Sequence, residues 1–290
     1  MSFGAIEKSR RKGRPVNLFH VKYGDGANSY YAYTDAEQRI VVNGVEYTPL
    51  AIDRGKITAS GTLDKAALEV RMSLNVPLAE LFRVYPPSSV VNMTIYQGHL
   101  SDGSTPQFLV AWTGRVISAK RTENELILTG EPINTTMKRV GLRRNYQYSC
   151  MHVLYGNHCK ASKSAATKTV LVNAYTSTTL TLPSVWESDT RAKKYIGGMV
   201  EWVNAMGDIE TRTILRVLGN NVLVLAGFIR DMAVGKEVKV ILGCNHGWYM
   251  NNGAIDEKTD CVFLHNNAPN FGGCPFIPTK NPVGQLNQYY

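Results

Sequence analysis

At 290 residues, 44% hydrophobic and 19% charged, the chain has the make-up of a folded protein with room for one large or two ordinary domains. No apolar run approaches the roughly eighteen residues of a membrane-spanning helix. The opening residues lack a secretory signal's apolar stretch, so stable membrane insertion and a secreted disulfide scaffold are not expected. A net charge of +9 makes nucleic acid one candidate partner and an acidic neighbour in an assembly the other.

The densest basic run, at residues 9–14, reads as a solvated terminal tail in preference to a phosphate-binding arm, although such arms often order against a neighbouring subunit. From Val16 the pattern turns to strands. Residues 16–21 are apolar and β-prone, and 40–47 form a hairpin signal in which Asn43-Gly44 supplies the positive φ angles of a type I′ turn. Leu68, Val70, Met72 and Leu74 alternate with polar residues, as does a half-buried strand. Residues 77–82 suit a short helix with Asn75 as its cap, ended by Pro86-Pro87. Val91, Met93 and Ile95 alternate again, and residues 108–116 and 125–130 read as further strands either side of a polar loop. The first half is therefore expected to be a multi-stranded β domain over residues 1–145, closing near a second basic run at 138–144.

The second half, residues 146–290, contains every cysteine of the chain: Cys150, Cys159, Cys244, Cys261 and Cys274. Between Cys159 and Cys244 lies a β-rich insert at about 168–242. Its expected strands are 170–172, 179–182, 198–203, 210–217, 222–225 and 238–242, with Gly207-Asp208 and Asn220-Asn221 at turns. So many short strands suggest a small barrel or sandwich whose chain ends meet near the cysteines. Trp186, Tyr195 and Trp202, with Arg191, Lys193 and Lys194, give slight support to a single-strand-binding barrel, although such aromatics more often build a core. The segment 275–290, with its prolines, should run extended over a surface.

Cysteines acting as small core hydrophobes should scatter more widely than this. A catalytic thiol needs one cysteine beside a base, not four or five. Soft thiolates in this number suit zinc or an iron–sulfur cluster, but the spacing is not that of a zinc ribbon. The residue pattern alone leaves a metal site and a set of unlinked thiols equally open. His152, His158, His246 and His265 each lie within a few residues of a cysteine and could replace one in a Cys3His zinc site or support the ligands from behind. No nucleotide loop, HExxH or G-x-S-x-G is present, and the adjacent Asp256-Glu257 sits in a polar loop, so no enzyme is expected.

Two stretches carry a resemblance. One is Cys150 to Cys159 around Leu154-Tyr155-Gly156. The other joins Cys261-Val262-Phe263-Leu264-His265-Asn266 to Asn270-Phe271-Gly272-Gly273. Together they resemble the tail-tip hub family of long-tailed phages, the minor tail protein L type and the hub proteins of gene transfer agents. In that family a Cys, a Tyr-Gly turn and a second Cys precede a late Cys-x-Phe-x-Asn and an Asn-Phe-Gly-Gly. The resemblance implies a mainly β fold with a tail-tube-like N-terminal domain. It also implies a cluster, [4Fe–4S] by expectation with zinc as the alternative, held by Cys150, Cys159, Cys244 and Cys261. Cys274 falls where relatives carry an aromatic and is left out. The implied role is a homotrimeric hub at the virion tail tip, assembled in the host cytoplasm. Its partners would be the distal tail protein, the central tail fibre and the tape-measure protein, with nucleic acid met only in transit. The competing expectation is a basic zinc module that binds nucleic acid.

Overall fold

In the computed structural model, which describes residues 3–9, 13–24, 26, 29–57, 67–83, 87–100, 106–138, 141, 145–205 and 207–277, strands dominate. The chain divides into two units: Met1–Arg139 with Val203–Glu210, and Val140–Trp202 with Thr211–Tyr290. The break at 139/140 compares with the 145/146 expected, and no local pattern announces the grouping of 203–210 with the first unit. Residues 10–12 of the first basic run, most of the second and residues 278–290 of the proline-containing C-terminal segment lie outside the described residues.

The first unit opens with a short helix, α1 (Phe3–Glu7), and continues as β1 (Pro15–Tyr23), β2 (Tyr30–Thr34), β3 (Ile40–Val42), β4 (Val45–Pro49), β5 (Ile52–Arg54), β6 (Leu68–Ser73), α2 (Pro77–Leu81), β7 (Val91–His99), β8 (Leu109–Arg121) and β9 (Glu125–Pro132). Among the described residues these strands make one nine-stranded sheet in the order β3-β4-β2-β1-β7-β8-β9-β6-β5. Its spine is the antiparallel pairing of β1 with β7, in register from Pro15↔His99 to Tyr23↔Val91. Alternation dictates the faces. Phe19, Val21 and Tyr23 join Leu68, Val70, Met72, Met93, Ile95, Leu126 and Leu128 in the main core. Val16 and Leu18, on the other face of β1, pack with Ala32, Ile40 and Tyr47. The hairpin turn between β3 and β4 is as expected, with Asn43 and Gly44 at φ 52° and 80°.

Helix α2 lays Leu78, Ala79 and Leu81 on the main core. Its cap is Val76, not Asn75, and no side chain caps it. Pro77 is the reason. A residue before proline is held extended, here at φ −134° and ψ 147°, so the helix begins at the proline itself and Asn75 falls one position too early. Also in this unit, the fully buried Glu210 carboxylate accepts the Tyr23 and Ser88 hydroxyls, each at 2.5 Å, which satisfies a charge that burial would otherwise penalise.

The second unit contains β10 (Thr167–Leu171), β11 (Ala174–Tyr175), β12 (Thr179–Thr181), α3 (Asp189–Ala192), β15 (Val222–Leu225), β16 (Glu237–Ile241) and all but the 203–210 ends of β13 (Met199–Val203) and β14 (Ile209–Leu218). Beyond them lie the small hairpin β17 (Met250–Asn251) and β18 (Ala254–Ile255) and the short helix α4 (Asp260–Phe263). Strands β10 to β16 form a seven-stranded sheet in the order β10-β16-β13-β14-β15-β12-β11. That order has two ends, β10 and β11, so the insert is an open sheet and not the closed barrel among the forms expected. Leu180, Val200, Ile214, Leu223, Val238 and Val240 fill its core together with Trp186, Tyr195 and Trp202. These aromatics are 5%, 3% and 2% exposed, so they are core residues and offer no stacking face to a base. Trp186 lies on Tyr195, ring centroids 4.9 Å apart, and the Trp202 indole donates to the Arg230 carbonyl. Among the described residues no helix is long and apolar enough to cross a membrane.

Candidate metal centre

Strand pairing brings the cysteines together. β10 and β16 run antiparallel with Thr167 opposite Ile241, so the start of one strand and the end of the other lie at the same end of the sheet. Cys159 precedes β10 and Cys244 follows β16. Three loops then close over that end. The Cys150 amide donates to the His246 carbonyl at 2.8 Å, and the Gly243 amide to the Lys194 carbonyl at 2.9 Å. The third loop carries α4, whose entry is tied down by buried Thr259: its hydroxyl accepts the Tyr249 amide and donates to the Tyr249 carbonyl. As a result Cys150, Cys159, Cys244 and Cys261 line a single small cavity, with His152, His246, His265, Asn267 and Asn270 around them. All five cysteines are free thiols. Cys274 is not in that lining; it borders a neighbouring surface hollow with Tyr146, Met151 and His158.

The sulfur atoms sit among donors. The His246 amide points to Cys244 Sγ at 3.5 Å, the Gly272 amide to Cys150 Sγ at 3.2 Å, and Asn267 Nδ2 to Cys159 Sγ at 3.6 Å. N–H groups directed at sulfur favour thiolate. In the metal-free chain the opposing terms win at two positions. Burial, and then the neighbouring thiols, push Cys261 up to about 12. Burial pushes Cys244 up to about 11, with Asp260, Cys150 and Cys159 adding to the rise and the His246 amide opposing it. A bound cation would reverse this balance, because coordinated thiols give up their protons.

A pH dependence follows. These two folded-state pKa values lie above the ordinary thiol value of 9.0, so the stability they contribute is fully present below pH 9. It is lost as pH rises through about 11 and 12. Metal-free protein should therefore melt progressively earlier across that alkaline window. The Cys244→Ser, Cys261→Ser double variant should lose less over the same range in a calorimetric pH series.

The histidines support the loops and are already engaged. His265 Nε2 meets the Gly243 carbonyl at 2.7 Å and its ring stands edge-on to Tyr155. His152 Nδ1 meets the Asn270 carbonyl at 3.1 Å while its ring packs on His158. A carbonyl partner requires N–H at the contacting nitrogen, which makes that nitrogen a donor and not a metal ligand. Among the described residues no group of three or more His, Cys, Asp or Glu is gathered to hold one metal ion. The backbone is strained in the same loops: Tyr155, Lys160, His246 and Asn266 have φ of 60°, 57°, 53° and 47°. Tyr155 is kept there by its hydroxyl, which donates to the Leu242 carbonyl at 2.6 Å.

Sequence reasoning missed three residues of this centre. Asp260, 6% exposed, takes Lys194 Nζ on one oxygen at 2.6 Å and the Asn245 amide on the other at 3.0 Å, fastening α4 to the Cys244 loop. In sequence Lys194 stands out only beside Arg191 and Lys193, as slight support for a single-strand-binding barrel. Asn267 bridges Cys159 and Cys261 and carries no motif signal of its own beside the quoted Asn266.

Comparison with known proteins bears on this half of the chain. Residues 193–281 match the family described as phage conserved hypothetical protein BR0599. The matched stretch includes Cys244 and Cys261 but not Cys150 or Cys159. An uncharacterized protein of Xylella fastidiosa (strain 9a5c) is 28% identical over 170 residues, covering 53% of this chain and 34% of that protein. The match thus spans about a third of the relative's length. Among solved structures, a chain from the virion of a native gene transfer agent particle superposes with a TM-score of 0.75. It covers 98% of this chain and 95% of that one at 16% identity. At that identity the likeness establishes the mainly β fold.

Proposed function

We propose that the chain is a structural, non-enzymatic component of a phage-type virion: a tail-tip hub whose second unit is stapled by a [4Fe–4S] cluster on Cys150, Cys159, Cys244 and Cys261. The observation that carries the cluster is the convergence of four free thiols from three loops on one cavity, with N–H donors directed at three of the sulfurs. The virion role is supported by the phage-conserved family match and by a fold shared with a gene transfer agent virion chain. In this reading three copies ring the tail axis and meet the distal tail protein, the central fibre and the tape-measure protein. When bound, the cluster supplies cross-linking; the chain's own part is to present four thiolates from preorganised loops and to bury two of them, Cys159 and Cys261.

Zinc is the second reading, since four thiolates suit it. The test is anaerobic purification of the full chain. Brown protein with about four iron and four acid-labile sulfide per chain is expected. A colourless protein with one tightly bound zinc would overturn the cluster. For the hub, a reconstruction of the assembled particle with three copies around the tail axis is expected, and one copy on the axis would sink it. Salt-sensitive DNA binding by the isolated chain would favour the nucleic-acid module instead.

A further inference from the structure

We propose that Asn267 is the positioning residue that locks the Cys159–Cys261 edge of the four-thiol site and sets how firmly the bound group is retained; this rests on the cluster reading above. Asn267 is 6% exposed, and a buried amide must find partners or destabilise its surroundings. It finds them on two cysteines distant in sequence. Nδ2 donates to the Cys159 carbonyl at 2.5 Å and faces Cys159 Sγ at 3.6 Å. The main-chain amide of the same residue donates to the Cys261 carbonyl at 2.7 Å. Its Oδ1 is claimed by Asn270 Nδ2 at 2.7 Å.

That network determines the amide's orientation. A flip would set Oδ1 against the Cys159 carbonyl and two NH2 groups against each other. Asparagine is therefore required here for both ends of its amide, not for its size. Aspartate, nearly the same shape, would turn an N–H toward the Cys159 carbonyl and sulfur into a negatively charged oxygen. Leucine would leave the Cys159 carbonyl and the Asn270 amide unpaired. An N–H on a ligand sulfur withdraws electron density and raises the reduction potential, while a negative charge beside it lowers the potential.

The experiment compares anaerobically purified wild type, Asn267→Asp and Asn267→Leu in two measurements. These are iron release to a ferrous chelator in air and the midpoint potential followed by EPR. Iron should leave both variants about ten- to a hundredfold faster than wild type. The midpoint of the aspartate variant should fall below that of wild type. Asn266→Gly, at an exposed neighbour whose φ of 47° suits glycine, should behave as wild type. If the Asn267 variants fail to fold, Asn270→Ala loosens the amide without removing it, and its iron release should also exceed that of wild type. Retention and potential equal to wild type in the folded variants would overturn the inference and leave the cluster intact. Wild type that holds neither iron nor sulfide would overturn the cluster reading, and the inference with it.

Discussion

Serine at Cys150, Cys159, Cys244 or Cys261 should each abolish the bound iron and the assembly that depends on it, whereas Cys274→Ser should be nearly silent. The four line one cavity and the fifth does not. A serine hydroxyl does not ionise in the range where a coordinated thiol does, so each substitution removes a ligand and not merely a sulfur. The site gathers loops that are far apart in the chain and cannot pre-exist in the unfolded state, so under the proposed cluster reading metal binding would be part of the folding free energy. Structural metal sites of this kind contribute on the order of 10 kcal/mol. Melting of the second unit should therefore drop steeply with any of the four substitutions. The core of the first unit, drawn from its own strands, should keep its transition. Iron content and calorimetry on the five single variants check this. If Cys274→Ser loses iron while Cys244→Ser keeps it, the ligand set is wrong by one cysteine. Five silent substitutions would mean core thiols that bind nothing.

Valine at Gly273 should disrupt the second unit by about 3 kcal/mol or more, and valine at Gly272 by somewhat less. At Gly273 a Cβ would lie 2.4 Å from the Tyr148 carbonyl oxygen and 2.8 Å from the Ser149 carbonyl carbon. Both are backbone atoms beside Cys150, so relief requires moving the Cys150 loop. At Gly272 the clash is with the His152 ring at 2.6 Å, a side chain that can yield only by giving up the Asn270 carbonyl. The Gly272 amide cannot retreat without leaving Cys150 Sγ, and Phe271 holds the turn against Trp248 with ring centroids 4.9 Å apart. Both variants should lose metal together with stability, measured as iron per chain and as the second calorimetric transition. A Gly273→Val protein with unchanged metal content and melting would show that the turn does not hold the centre.

Much of the architecture was legible along the chain, because local patterns report local physics. Alternation at Leu68-Val70-Met72 and Val91-Met93-Ile95 gives the strand and its buried face directly, since successive side chains must point to opposite sides. Asn43-Gly44 gives the hairpin turn, since those residues tolerate positive φ. The grouping of cysteines in the second half, with the turn motifs beside them, pointed to the residues that line the cavity.

What the sequence could not decide is what depends on partners. β2, whose tyrosines mix buried and half-buried positions, and the three-residue β5 carry too little alternation to be read. They become strands because β1 and β6 offer them free edges. Open sheet against closed barrel was decided by β10 and β11 standing at opposite ends of the strand order, and the long-range pairing of β10 on β16 places Cys159 and Cys244 at one end of the sheet. Asp260, Lys194 and Asn267 look like ordinary surface polar residues in sequence. Only tertiary packing buries Asp260 and Asn267 and gives each residue a partner, because the worth of a polar group depends on whether folding removes its water and what replaces it.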